Sequence, residues 1–239
     1  MLGDAHKRAE VESRTAEFME HEASKPFGWS PLHFIEWATV ESMLETIRLP
    51  PHSKFLDIGC GSGWTSLFLA EAGYEVIGYD LVPANVELAR RRAERWGSSA
   101  RFEIADMEDL PAGDLVDAVL LFQALHHTAR QHVALRAIGG RLRPGGWLLL
   151  SEPSWLHRFS PEARATRREA GWMERGLSLR RLRRDIREAG FVEIRRFFGP
   201  TRPYEGRGRG FVWQLARLVG ANVWVAPQAH IWLAARRRE

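Results

Sequence analysis

The chain has 239 residues, of which 45% are hydrophobic, and its 34 Lys and Arg against 30 Asp and Glu give a formal net charge of +4. That length can bury a full hydrophobic core, the modest charge exerts no strong pull on nucleic acid, and a lone cysteine, Cys60, excludes an internal disulfide. No stretch approaches the roughly 20 apolar residues of a membrane span, and Met1 to Glu22 is charged throughout, so a cytoplasmic protein is expected. Only Lys7, Lys25 and Lys54 are lysines; the other basic residues are arginines, a bias better put down to genome composition than to ligand choice.

From about Val11 to Leu49 the pattern predicts a helical region, with Val40, Met43, Leu44 and Ile47 on one helix face and Lys25-Pro26-Phe27-Gly28-Trp29 before it. Phe55, Leu56 and Ile58 then form an apolar run suited to a buried parallel strand, with Asp57 inside it and glycines following at 59, 61 and 63. Glycine there lets the backbone turn sharply and approach a ligand closely. A helix over Trp64 to Glu71 places the loop at a helix N-terminus, whose free N–H groups can hold a polar or anionic ligand. The spacing is G-x-G-x-G. A dinucleotide fingerprint needs glycine where Trp64 stands, and a Walker loop needs a lysine before the Ser or Thr, which Gly63-Trp64-Thr65 lacks.

Tyr74 to Tyr79 reads as a second strand ending in Asp80, 21 residues beyond Gly59 and near the usual place for an acid that takes ribose hydroxyls. A helix follows, with Pro83 at its start, Val82, Val86, Ala89, Ala93 and Trp96 on its apolar side, and Gly97 as its stop. A third strand, Arg101 to Ala105, delivers Asp106 and Met107. The fourth, Leu115 to Phe122, runs into Gln123-Ala124-Leu125-His126-His127. A helix to about Leu142, weakened in its last turn by Gly139 and Gly140, leads through Arg143-Pro144-Gly145-Gly146 to a strand over Trp147 to Ser151, with Glu152 just past it.

The arginines cluster from Arg164 to Arg187. They read either as a phosphate-binding surface or, preferably, as the wet face of a helix with Ser178 at its N-cap, Leu179, Leu182, Ile186 and Ala189 on its apolar side and Gly190 as its stop. Phe191 to Phe198 and Ala229 to Ala235 form two apolar segments suited to an antiparallel hairpin. Between them Gly206 to Pro227 is longer than a turn needs, and reads as a lid, a helix on the sheet edge, or an apolar wall facing substrate or lipid.

The run Asp57 to Gly63 resembles motif I of the class I S-adenosylmethionine (SAM) dependent methyltransferases. Asp80, the pair Asp106-Met107 and the segment after the fourth strand follow in that family's order, so the resemblance spans residues 53 to 153. It implies an α/β, doubly wound, Rossmann-like sheet of seven strands in the order 3-2-1-4-5-7-6, strand 7 antiparallel. The implied single domain has an N-terminal helical cap over residues 1–50, a SAM-binding core over 51–155, and C-terminal helices, a lid-like insertion and strands 6 and 7 over 156–239. It further implies that Asp57, Gly59, Cys60, Gly61 and Gly63 hold the methionine part of SAM, with Phe122 and Gln123 nearby. Asp80 and Leu81 then take the ribose, and Asp106 and Met107 the adenine.

The reaction so implied is methylation of an O or N atom of a small molecule by in-line displacement, leaving S-adenosylhomocysteine (SAH). A hydroxyl acceptor must lose a proton, and the candidate bases are His126, His127 and Glu152; each histidine reads equally well as a structural residue. Adjacent histidines cannot easily face one ion, so no metal is expected. Where methyltransferases acting on nucleic-acid amines carry an Asn-Pro-Pro-Tyr-like tetrad, Phe122-Gln123-Ala124-Leu125 stands, which weakens a nucleic-acid substrate. A phosphorylated or sugar-nucleotide acceptor, a non-catalytic SAM-binding protein and an oxidoreductase remain as alternatives. A monomer or homodimer is expected.

Overall fold

A computed structural model describes residues 2–12, 15–27, 32–159, 161–169, 175–197 and 230–239. Gly28, Trp29, Phe198, Ala229 and the segment Gly206 to Pro227 lie outside these residues.

Seven strands form one sheet in the order β3-β2-β1-β4-β5-β7-β6. They are β1 (Lys54–Ile58), β2 (Glu75–Asp80), β3 (Arg101–Ile104), β4 (Val116–Phe122), β5 (Leu142–Pro153), β6 (Phe191–Phe197) and β7 (His230–Arg237). The first five run parallel; β7 pairs antiparallel with both β5 and β6. The central strands are covered on both faces, which is why β1 and β4 read as nearly continuous apolar runs.

Alternation along these strands builds two cores. Phe55, Ala118, Leu120, Phe122 and Leu149 point to the side covered by the helices α3 (Leu32–Ile47), α4 (Trp64–Glu71) and α5 (Pro83–Trp96). Leu56, Ile58, Val119, Leu121, Leu148 and Leu150 point the other way, onto α6 (Gln131–Arg141) and α8 (Leu179–Glu188). Val40, Met43 and Leu44 of α3 are buried as their spacing predicts, with Ile47 packed beside them.

Two further helices, α1 (Leu2–Glu12) and α2 (Ala16–Ser24), precede α3, so the N-terminal region holds three helices. Between β4 and α6 a 3-10 turn, Leu125–His127, comes first, and α6 starts at Gln131. Gly139, which the propensity argument counts against the end of α6, has a packing reason. A Cβ there would lie 2.9 Å from the Ala189 carbonyl, so glycine lets α6 close on the end of α8. A short helix, α7 (Pro161–Glu169), precedes α8. On α8 itself Leu182, Asp185 and Ile186 are buried, while Arg180, Arg181, Arg183, Arg184 and Arg187 are all exposed, the solvated face expected of them. Ser178 sits at its N-cap but makes no capping bond through its side chain.

Candidate active site

Strand order reverses between β1 and β4, so the loops leaving their C-terminal ends diverge and open a crevice, where ligands of doubly wound sheets bind. A cavity of about 380 Å³ lies there. The loops after β1 to β4 form one part of its lining, and residues of α1, α2 and α3 another.

The glycine loop owes its shape to close approach. Gly59 has φ +74°, and a Cβ on it would fall 2.3 Å from the Cβ of Ala124 in the segment after β4. Gly63, at φ +79° before α4, leaves room for Ala89 and the Phe102 ring, which a Cβ would meet at 2.7 and 2.8 Å. Trp64, in the place a dinucleotide site reserves for glycine, turns toward the cap. It packs edge-on against Trp37, Phe68 and Phe122 at centroid distances of 5.8, 5.6 and 5.1 Å.

Two carboxylates brace this loop from behind. Asp57 is fully buried, and its Oδ2 accepts hydrogen bonds from Thr65 Oγ1 and Ser66 Oγ, each at 2.6 Å, in the first turn of α4. Burial, with some help from the charge of Asp80, outweighs those bonds and raises the Asp57 pKa to about 6. Asp80 accepts from the Gly61 amide at 2.8 Å, the Val82 amide at 2.9 Å and Asn85 Nδ2 at 3.1 Å. It lines the cavity as well, so it fixes the loop and faces a ligand at once. Cys60 is buried, and burial, followed by the charges of Asp80 and Asp57, pushes its thiol pKa well up; packing, not reactivity, explains it.

At the far end, Asp106 is held by α1. Lys7 Nζ lies 2.5 Å from Asp106 Oδ2 and 2.6 Å from Glu108 Oε2. Glu108 also receives Thr128 Oγ1 and the amide and guanidinium of Arg130, and these donors, with Lys7, overcome its burial and lower its pKa to about 2.

Beyond β4, Gln123 adopts φ +52°, uncommon for a residue with a side chain. Its amide is held by the Ser151 carbonyl at 2.8 Å, and its Nε2 donates to Glu36 of α3. Next to it, Glu152 is buried completely. Its Oε1 accepts from the amides of Ala124 and Leu125 at 2.8 and 2.7 Å, and its Oε2 lies 2.8 Å from His126 Nδ1. The carboxylate thus caps the 3-10 turn and fixes the His126 ring. The rings of His126 and His127 lie 4.0 Å apart, and His157 meets His126 edge-on at 5.7 Å.

Of the residues singled out in the sequence, Gly59, Cys60, Gly61, Asp80, Leu81, Asp106, Met107, Phe122, Gln123, His126 and His127 all line the one cavity. Asp57, Gly63 and Glu152 do not. Asp57 and Gly63 shape the loop from behind, and Glu152 lies inside β5, paired with Ile231 of β7, instead of past the strand as a base facing a substrate. Its reach is through His126. The motifs give no sign of Lys7, Glu22, His33 and Glu36, which line the cavity from α1, α2 and α3. Glu36 alone left a trace: it shares a helix stripe with Val40 and Met43, and a carboxylate on an apolar stripe is a buried one.

Residues 56–150 match the family model described as a methyltransferase domain. Over 123 residues the chain is 32% identical to the ubiquinone biosynthesis O-methyltransferase of Xanthomonas axonopodis pv. citri, covering 51% of each chain. It is 37% identical over 99 residues to the protein of that name from Cereibacter sphaeroides, covering 41% of this chain and 40% of that one. The chain therefore spans about half the length, or less, of these curated relatives. Among solved structures, phosphoethanolamine N-methyltransferase 2 of Haemonchus contortus, in complex with SAM, superposes with a TM-score of 0.68 at 16% identity, covering 100% of this chain and 60% of that one, a likeness of fold alone. The strand order, the glycine loop and the order of the four motif segments agree with the methyltransferase-domain match, and together they support a class I SAM-dependent methyltransferase.

Proposed function

We propose that the protein transfers a methyl group from SAM to an oxygen or nitrogen of a small-molecule acceptor, by in-line displacement and without a metal ion. The observation that carries this reading is a single cavity shared by the glycine loop, Asp80 and Asp106 with a histidine whose ring is fixed by a buried carboxylate. The residues fit the cofactor. Gly59 and Gly61 keep side chains out of the loop, Asp80 has its carboxylate at the cavity edge where ribose hydroxyls can reach it, and Asp106 with Met107 closes the end suited to adenine. Bound SAM supplies an electrophilic methyl group on a sulfonium. The chain aligns the acceptor with it and keeps water away, through Trp64 and Phe122, which line the cavity with little exposure.

A hydroxyl acceptor needs a base, and His126 is the residue proposed for it. With Nδ1 engaged by Glu152, Nε2 is the ring nitrogen that would take the proton, and Glu152 would stabilise the imidazolium that results. The curated relatives are named O-methyltransferases, which supports oxygen as the acceptor atom. The test is calorimetry with SAH, NADH and NADPH as ligands. SAH should bind and the nicotinamide nucleotides should not, and Asp80→Ala should weaken SAH by about 100-fold, because ribose hydroxyls are left unpaired in a buried site. Unchanged affinity in Asp80→Ala removes the ribose assignment.

A further inference from the structure

Facing the glycine loop, the cavity carries a fixed negative charge that none of the motifs announces. Glu36 is 3% exposed and lines the cavity from α3. Its Oε1 lies 2.8 Å from His230 Nε2, its Oε2 accepts from Gln123 Nε2, and His33 Nδ1 is 3.8 Å away. Burial works to raise its pKa, but the hydrogen bonds and charges of His230 and His33 outweigh burial and hold it at about 2. Glu36 is therefore an anion at neutral pH. A carboxylate has about four lone-pair sites, so these neighbours leave room for a further donor.

The lysines that line the cavity are already committed elsewhere. Lys7 pairs with Asp106 and Glu108, and Lys25 lies 2.5 Å from Glu22. Among the described residues that line the cavity there is no arginine. The arginines of α8 stand exposed on the helix that covers the other core. What remains is imidazole, from His21, His33, His126, His127 and His157. Trp64 and Phe122, 5.1 Å apart and edge to face, complete the lining with aromatic surface.

Resting on the methyltransferase reading, we propose that Glu36 determines acceptor specificity: it receives an O–H or N–H of a neutral or cationic phenol, alcohol or amine, and it excludes acceptors bearing phosphate or carboxylate. An anionic acceptor would leave water to sit beside a buried anion whose neighbouring cations are already paired. A donor group joins Gln123 and His230 around the carboxylate, and an aromatic body rests against Trp64 and Phe122.

The experiment takes the full chain at pH 8 with radiolabelled SAM and a panel of matched acceptors: phenol, catechol and tyramine against 4-hydroxyphenyl phosphate and 4-hydroxybenzoate. SAH affinity is measured by calorimetry on the same samples. The expected result is label transfer to the neutral and cationic members at least about tenfold faster than to the anionic ones. In Glu36→Gln this preference should shrink to within about threefold, with SAH affinity also changed by less than about threefold. Equal or faster transfer to the anionic members overturns the proposal, as does a preference untouched by Glu36→Gln, or no transfer to any member by protein that binds SAH. If Glu36→Gln does not fold, judged by circular dichroism, the wild-type panel decides alone. Failure to bind SAH is a different result: it overturns the methyltransferase reading, and the proposal with it.

Discussion

The two sides of the cavity are built in opposite ways. The side proposed for the cofactor is made of backbone from consecutive strand ends, held by glycines at 59 and 63 and by the carboxylates of Asp57 and Asp80. The opposite side is made of side chains that lie far apart in the chain: Lys7, Glu22 and Glu36 from the N-terminal helices, with His230 of β7 behind Glu36, and His126 after β4, with Glu152 behind it. A backbone cradle tolerates little change in sequence and suits a ligand that stays the same. A wall of side chains on separate elements can be re-cut one residue at a time, which suits an acceptor that varies. Substitutions on the two sides should therefore fail in different ways.

The largest effect is expected at Gly59→Ala. The new methyl would overlap Ala124 at 2.3 Å, on a backbone at φ +74°. The loop must shift or the chain must lose stability, by about 2–4 kcal/mol, and SAH binding should disappear. Urea unfolding with calorimetry checks both. On the other side, His126→Ala should lower turnover of a hydroxyl acceptor by about 10²–10⁴-fold while leaving SAH affinity unchanged. Glu152→Gln should act through the same ring. It keeps a group of similar shape against the 3-10 turn, removes the charge that supports the imidazolium, and should move the acidic limb of the pH–rate profile to lower pH. A His126→Ala variant with full turnover would end the assignment of base.

Asp57 sharpens the comparison through stability. Its folded pKa of about 6 lies above the usual 3.8, so the folded state holds a proton that the unfolded state has released between those values. Its contribution is fully present below about pH 4 and is lost as pH rises through 6, about 3 kcal/mol in all. Unfolding free energies measured from pH 4 to 7 should show that fall in the wild type and a flatter profile in Asp57→Asn. A smaller effect belongs to Lys7, which joins the two sides. Lys7→Ala frees Asp106 and Glu108 from α1 and should weaken SAH by about threefold to tenfold, by calorimetry.

The same contrast explains what could be read from the sequence. Strand order, the glycine loop and the placing of Asp80, Asp106 and Gln123 at one cavity follow from contiguous runs, because a strand, a turn residue and a helix start are local events. The bounds of α4 and α5 follow likewise from Gly63 before one helix and Gly97 after the other. Glu152 was placed one step too far along: β5 runs on to Pro153 because β7 pairs with it through His230, a contact 77 residues away that no local pattern records. Gly139 looked unfavourable because propensity weighs a helix alone, while its reason lies in the Ala189 carbonyl of a different element. Lys7 was illegible, and Glu36 legible only as a buried charge and not as a site residue, for a related cause. Each is a single charge on a cap helix, and its meaning comes only from the partner that folding sets against it.

The central claim is that the crevice between β1 and β4 is shaped for a sulfonium nucleoside, and a crystal structure of the chain soaked with SAH tests it most directly. The account predicts the nucleoside between the glycine loop and the cap, its ribose hydroxyls on Asp80, its adenine beside Asp106 and Met107, and its sulfur toward His126. Density for the nucleoside elsewhere, or an empty crevice at saturating SAH, would contradict it.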